Sequence, residues 1–142
     1  MEGDAVLGVE LPAVFRVDDL EGRVMHEQRD RFGAIDRLVQ LTGCTVILKG
    51  AGSLVQSPQS QSFIIDRSAP ALAQAGSGDM LCGLVAALLA RHRLTSSQTL
   101  AAAAAFLHAD AAARWAEIEG RSAGMPSSAF LSIVSNRFAA MA

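Results

Sequence analysis

Few folds can hold the run Cys44-Thr45-Val46-Ile47-Leu48-Lys49. It is rich in β-branched residues and bracketed by Gly43 and Gly50, which reads as a strand buried on both faces. The segment before it, His26 to Thr42, carries Phe32, Ile35, Leu38 and Val39 at helical spacing with charges between them, and Gly43 stands where a C-cap glycine belongs. A helix feeding a doubly buried strand calls for apolar cover on both sides of a sheet, an α/β layout. At 142 residues the chain suits one domain with a sizeable core.

The remainder alternates in the same way. Ser53 to Ser57 and Ser62 to Asp66 are short β-type runs around a Ser57-Pro58-Gln59-Ser60 turn, which predicts a hairpin. Arg67 to Ala75 is a loop containing Pro70. A helix follows, with Leu81, Leu84, Val85, Leu88 and Leu89 on one face and Arg91, His92 and Arg93 suited to its negative end. Thr95 to Ser97 can cap another, running to about Glu119 with a stripe of Leu100, Ala104, Leu107, Ala111, Trp115 and Ile118. Within it, Ala101 to Ala105 is a close-packing face. Gly120 and Gly124 end that helix, and Pro126, at a first-turn position, opens a last one to about Met141. Residues 1–25, punctuated by Gly3, Gly8, Pro12 and Gly22, read as irregular.

Hydrophobic residues make up 51% of the chain and charged ones 18%, which excludes a disordered polypeptide. The longest apolar run, Met80 to Ala90, has eleven residues, well short of the roughly 20 a membrane span needs. Twelve basic against fourteen acidic residues give a net charge of −2 without a basic stripe, so neither membrane nor nucleic acid is expected as a partner. No basic region precedes an apolar stretch at the N-terminus, so no signal peptide is read. Cys44 and Cys82 stand far apart in apolar settings and read as reduced, buried small hydrophobes. The expected location is cytoplasmic.

The chemistry concentrates in two glycine-rich segments. Ala75-Gly76-Ser77-Gly78-Asp79 lies where a loop becomes a long apolar helix. Helix-start amides are unpaired and sit at the positive end of the dipole, so a phosphate suits the place. Asp79 could serve as general base toward a substrate hydroxyl, or Ser77 could simply cap the helix while Asp79 complements its dipole. The segment matches neither the dinucleotide glycine motif, since position 81 is leucine, nor a P-loop, since no Gly-Lys-Ser/Thr follows. Lys49-Gly50-Ala51-Gly52-Ser53 comes directly after the strand, where α/β folds place ligands. It reads either as a phosphate site or as a tight strand connection with a solvated lysine. A joint site requires Lys49 and Asp79 on the same side of the molecule. No metal-ligand cluster is visible.

These two segments, together with the continuation Met80-Leu81-Cys82-Gly83, resemble the C-terminal half of the ADP- or ATP-dependent NAD(P)H-hydrate dehydratases of the ribokinase-like superfamily. The resemblance runs from about Arg31 to the end, and His108 stands where that family has a His-Gly pair. It implies the C-terminal half of an α/β/α sandwich, a single partial domain over residues 1–142 with residues 26–142 family-like. The implied activity is repair of hydrated NADH or NADPH: the ring hydroxyl is phosphorylated from ADP or ATP and phosphate is lost. By position, Lys49, Gly50, Ala51, Gly52, Ser53 and Gly78 would line the adenine nucleotide site. Gly76, Ser77 and Gly78 would hold the transferring phosphoryl group, Asp79 would face the substrate hydroxyl, and Mg²⁺ would bridge phosphate oxygens.

The chain departs from the family in three places. Ser68-Ala69-Pro70-Ala71 replaces Gly-Asn-Pro-Gly, Ala109 replaces the glycine after His108, and the family's first half, with its further strands and substrate loop, is absent. Two alternatives follow: a ribokinase-like kinase of a small alcohol, or a catalytically silent nucleotide-binding fragment. Half a parallel sheet exposes an apolar edge, so self-association or a complementary N-terminal half is expected. Among single residues, His108 reads as a hydrogen-bonded core histidine, Trp115 as core, and Met80 and Met125 as gap fillers. His26 and His92 read as surface residues. Gly83 reads first as a close-packing position and second as room for a nucleotide ring.

Overall fold

The computed structural model describes residues 30–67 and 69–140. The irregular segment expected at 1–25, the predicted start of the first helix at His26, Ser68 and Met141 lie outside the described residues. Helix α1 is Arg31–Thr42, begun by Asp30, whose carboxylate accepts the Gly33 amide, and closed by left-handed Gly43 (φ 65°). Strands β1 (Val46–Leu48), β2 (Ser53–Gln56) and β3 (Phe63–Ile65) follow. After a 3-10 turn at Pro70–Leu72 come α2 (Ser77–Arg91), α3 (Ser97–Glu119) and α4 (Ser127–Ala140).

The sheet has the order β1-β2-β3 and is antiparallel throughout, with Ile47 opposite Val55 and Leu54 opposite Ile64. β1 is buried on both faces as the apolar run suggested, but the strands described here are not the half of a parallel sheet expected with the family resemblance. The reason is local: four residues, Lys49 to Gly52, separate β1 from β2, too few for a crossover. The predicted hairpin forms, with Gln59 at φ 58° as the third position of a type II turn requires.

Alternation along β1 and β2 sorts the core into two sets. Val46, Leu48 and Leu54 pack on Ala34, Ile35, Leu38 and Val39 of α1. Ile47, Val55 and Ile65 point the other way, into a larger cluster with Leu81 and Val85 of α2, Leu100 and Trp115 of α3, and Phe130 of α4. Helices thus cover both faces, giving three α/β/α layers. Burying a side chain such as Ile35 completely contributes about 2 kcal/mol. Among the described residues β1 is paired on one side only, although all three of its residues are buried.

Several expectations need correction. Phe32 and Ile118, placed in apolar stripes, are 53% and 75% exposed. Both stand near helix ends, beyond the reach of the opposing layer. The two cysteines are free but only half-buried. Pro126 lies just ahead of α4, its carbonyl accepting the Ala129 and Phe130 amides. As expected, Ser96 caps α3 through the Thr99 amide, Gly120 closes it, Ala101, Ala104 and Ala105 are buried, and Trp115 is core.

Candidate functional site

The β1–β2 turn is shaped by a residue twenty positions away. Arg31, at the head of α1, donates to the carbonyls of Leu48 (3.0 Å), Ala51 (2.6 Å) and Gly52 (3.0 Å). A Cβ on Gly50 would stand 2.9 Å from the movable guanidinium's Nη2, and the positive φ of Gly50 (156°) is the backbone conformation that favours glycine there. Ser53 Oγ closes the turn, donating to the Gly50 carbonyl and accepting its amide. Lys49 leaves this turn toward α2, where its Nζ donates to Ser77 Oγ at 3.3 Å. The turn is the tight connection of the plainer reading and its lysine is exposed, although the Nζ reaches the buried Ser77.

At the other segment, Gly76 precedes α2 in the left-handed region (φ 79°) and supplies no side-chain cap. Ser77 is the first helical residue and is buried, its hydroxyl occupied by Lys49, so the expectation that Ser77 caps the helix does not hold. The Ser77 amide reaches the Gln74 carbonyl at 3.4 Å, and the Met80 amide is the first to close onto the helix, at Gly76 O. The Gly78 and Asp79 amides come before that first helical bond, as helix-start donors do. Among the described residues, a Cβ on Gly76, Gly78 or Gly83 would meet nothing within 4 Å, so none of them covers this end and face of α2. Close packing does not explain Gly83, because no neighbour among the described residues approaches it. Asp79 is exposed in the first turn, and Gln74 Nε2 is buried without a partner among the described residues.

His108 of α3 lies beneath this turn. It is 2% exposed, and its Nε2 is 2.8 Å from the Ser77 carbonyl and 3.5 Å from Ser77 Oγ. A carbonyl only accepts, so Nε2 carries the hydrogen. Burial, then the charge of Lys49, push His108 down to about 4 against the opposing effect of the Ser77 hydrogen bond, so the ring is neutral at pH 7. Phe130 of α4 meets the ring edge-on at 5.3 Å. The expected core histidine is therefore also the floor of the turn.

One contact joins the two segments: Lys49, which leads into the turn Gly50, Ala51, Gly52 and Ser53, reaches Ser77 of the α2 start. Gly76, Gly78 and Asp79 are the neighbours of Ser77 in the chain. A cation, helix-start amides and a carboxylate at one end of the domain suit a phosphorylated ligand and a proton-accepting step. Arg31 was not legible as part of the site, because nothing at position 31 signals a turn twenty residues later. Among the described residues, no three His, Cys, Asp or Glu side chains gather as metal ligands.

The family described as NAD(P)H-hydrate dehydratase matches residues 15–136. The chain belongs to the NAD(P)H-hydrate dehydratase family. The match begins upstream of Arg31, where the resemblance drawn from the motifs starts. An ADP-dependent (S)-NAD(P)H-hydrate dehydratase of Neisseria meningitidis is 37% identical over 102 residues, 72% of this chain and 34% of that protein. A bifunctional NAD(P)H-hydrate repair enzyme of Synechocystis is 39% identical over 85 residues, 60% of this chain and 16% of that one. In three dimensions the chain resembles the Bacillus subtilis ADP/ATP-dependent NAD(P)H-hydrate dehydratase co-crystallized with ATP and Mg²⁺, with a TM-score of 0.74 and 20% identity. That likeness covers 84% of this chain and 42% of the other. This member of the family thus spans about a third of one curated relative and about a sixth of the other, and shares the α/β fold of the solved one.

Proposed function

We propose that this chain is the nucleotide-binding portion of an enzyme that dehydrates hydrated NADH or NADPH at the expense of ADP or ATP. One observation carries the reading: in a chain of this family, the Lys49–Ser77 contact joins the Lys-Gly-Ala-Gly-Ser turn to the Gly-Ser-Gly-Asp helix start. Lys49 and the amides of Gly78 and Asp79 would hold the nucleotide's terminal phosphates, with Gly50, Ala51, Gly52, Ser53 and Gly76 keeping the backbone close. The bare surface at Gly83 leaves room for the nucleotide's ring system. Asp79 would take the proton of the substrate's ring hydroxyl as its oxygen attacks the terminal phosphoryl group. The P–O bond to the rest of the nucleotide breaks, releasing AMP from ADP or ADP from ATP. The C–O bond then breaks, inorganic phosphate departs, the adjacent ring carbon gives up a proton to solvent and the ring double bond returns. The protein's part is positioning and electrostatic stabilisation. Mg²⁺ would be carried on phosphate oxygens, since the described residues offer no ligand set for it.

In the assembled enzyme Asp79→Asn is expected to lower turnover of hydrated NADH by about 10²–10⁴-fold, read by return of reduced-nicotinamide absorbance. Unchanged turnover removes Asp79 from the role. A stable phosphorylated product without recovered absorbance would indicate a kinase of a small alcohol instead.

The side of β1 left unpaired among the described residues favours a partner: a complementary N-terminal half, or a second copy. A cytoplasmic location agrees with that chemistry. Light scattering of the isolated chain is expected to show dimers or larger species. A monodisperse monomer at micromolar concentration would count against the open edge.

A further inference from the structure

His108 belongs to no step of the reaction just proposed, yet it is the residue on which the site turn rests. Its Nε2–H meets the carbonyl of Ser77, the first residue of α2, at 2.8 Å. The hydroxyl of the same serine receives Lys49 at 3.3 Å. One residue therefore takes a bond from the core on its carbonyl and a bond from the lysine on its side chain. Gly76 and Gly78 flank Ser77 with no side chains to brace the turn, and a Cβ at either would meet no described residue within 4 Å. Few other described contacts hold this end of α2 down. The Ser77 amide reaches Gln74 only at 3.4 Å, and no side chain caps the helix.

We infer that His108 is a positioning residue for phosphate binding: through the Ser77 carbonyl it fixes the first turn of α2, and through Ser77 Oγ it fixes the end of Lys49. This rests on the nucleotide reading above for what is bound, but the bracing itself is a property of the chain. The chemistry asks for a neutral donor. A second cation beside Lys49 would repel it, whereas a neutral imidazole with hydrogen on Nε2 satisfies a buried carbonyl and leaves the positive charge to the lysine. Burial under the turn and the edge contact with Phe130 hold the ring to that one orientation.

Two variants of the full chain separate bracing from bulk. His108→Leu keeps the volume and loses the donor, while His108→Gln can place an amide N–H on the Ser77 carbonyl. With Mg²⁺–ADP as the calorimetric probe, the leucine variant is expected to bind at least ten-fold more weakly and the glutamine variant within about three-fold of the unaltered chain. Hydrogen exchange of the Met80 amide, which bonds Gly76 O, is expected to speed up ten-fold or more in the leucine variant and recover with glutamine. Equal affinity and exchange in the leucine variant and the unaltered chain overturn the inference. So does equal impairment of both variants. Should the leucine variant not fold, ring nitrogen shifts of the unaltered chain decide: hydrogen on Nε2 supports the bracing bond, hydrogen on Nδ1 overturns it. If the unaltered chain binds no ADP, the nucleotide reading fails, while exchange and ring shifts still judge His108.

Discussion

His108 and Asp110 are two residues apart on α3, both at most 3% exposed, and the fold treats them oppositely. The histidine is kept uncharged, with one carbonyl as partner and a lysine nearby. The aspartate is kept charged. Arg67 and Arg114 each hold one of its oxygens at 2.8 Å, and Arg137 stands off at 3.6 Å. Burial acts to raise the Asp110 carboxyl, but the hydrogen bonds and charges of Arg114 and Arg67 outweigh it and hold the group below the usual carboxylate range. A protein can bury a titratable group by withdrawing its charge or by surrounding it with the opposite one. Here the first device lies under the candidate site, where an added charge would disturb Lys49. The second ties the segment after β3 to α3 and α4.

Acid breaks the two devices in different windows. The folded value of His108 lies below its unfolded one, so between about pH 6.5 and 4 the unfolded chain binds more protons and stability falls as pH drops. The loss by pH 4 is expected to reach about 3 kcal/mol, read from urea midpoints, and His108→Gln should flatten the curve. A level wild-type curve from pH 7 to 4 would show that the ring is not held neutral. Asp110 runs in the same direction but lower: its stabilisation is present above the usual carboxylate value and is lost as pH falls beneath it.

Substitution on the ionic side is expected to cost less. Asp110→Asn takes the shared carboxylate from three guanidiniums, which at about 40% exposed stay partly hydrated, so the expected loss is about 2 kcal/mol at pH 7. Arg137→Ala, which removes only the 3.6 Å partner, should cost under about 0.5 kcal/mol by the same denaturation. If Arg137→Ala proved the more damaging, the two hydrogen-bonded arginines would not be what sustains the charge.

Much of this was visible in the residues. Gly43, Ser96 and Gly120 marked helix ends because a cap is a local event. Leu81, Leu84, Val85 and Leu88 announced their buried face by spacing alone. The Asp110–Arg114 pair, four apart on a helix, was also there to be read. What escaped were agreements between distant segments: Arg31 with the Leu48–Gly52 carbonyls, Arg67 and Arg137 with Asp110, and His108 with Ser77. Ile118 and Phe32 escaped for a related reason, since periodicity reports the stripe of a helix but not where the neighbouring layer stops.

Chain-local rules therefore settled the helices, the hairpin and the two glycine-rich bends, because propensity, capping and turn chemistry act within a few residues. Which carbonyls those bends turned inward, which way Lys49 pointed, and whether a buried histidine kept its proton were decided only once the layers had packed. Burial and through-space charge depend on neighbours that the order of residues does not reveal.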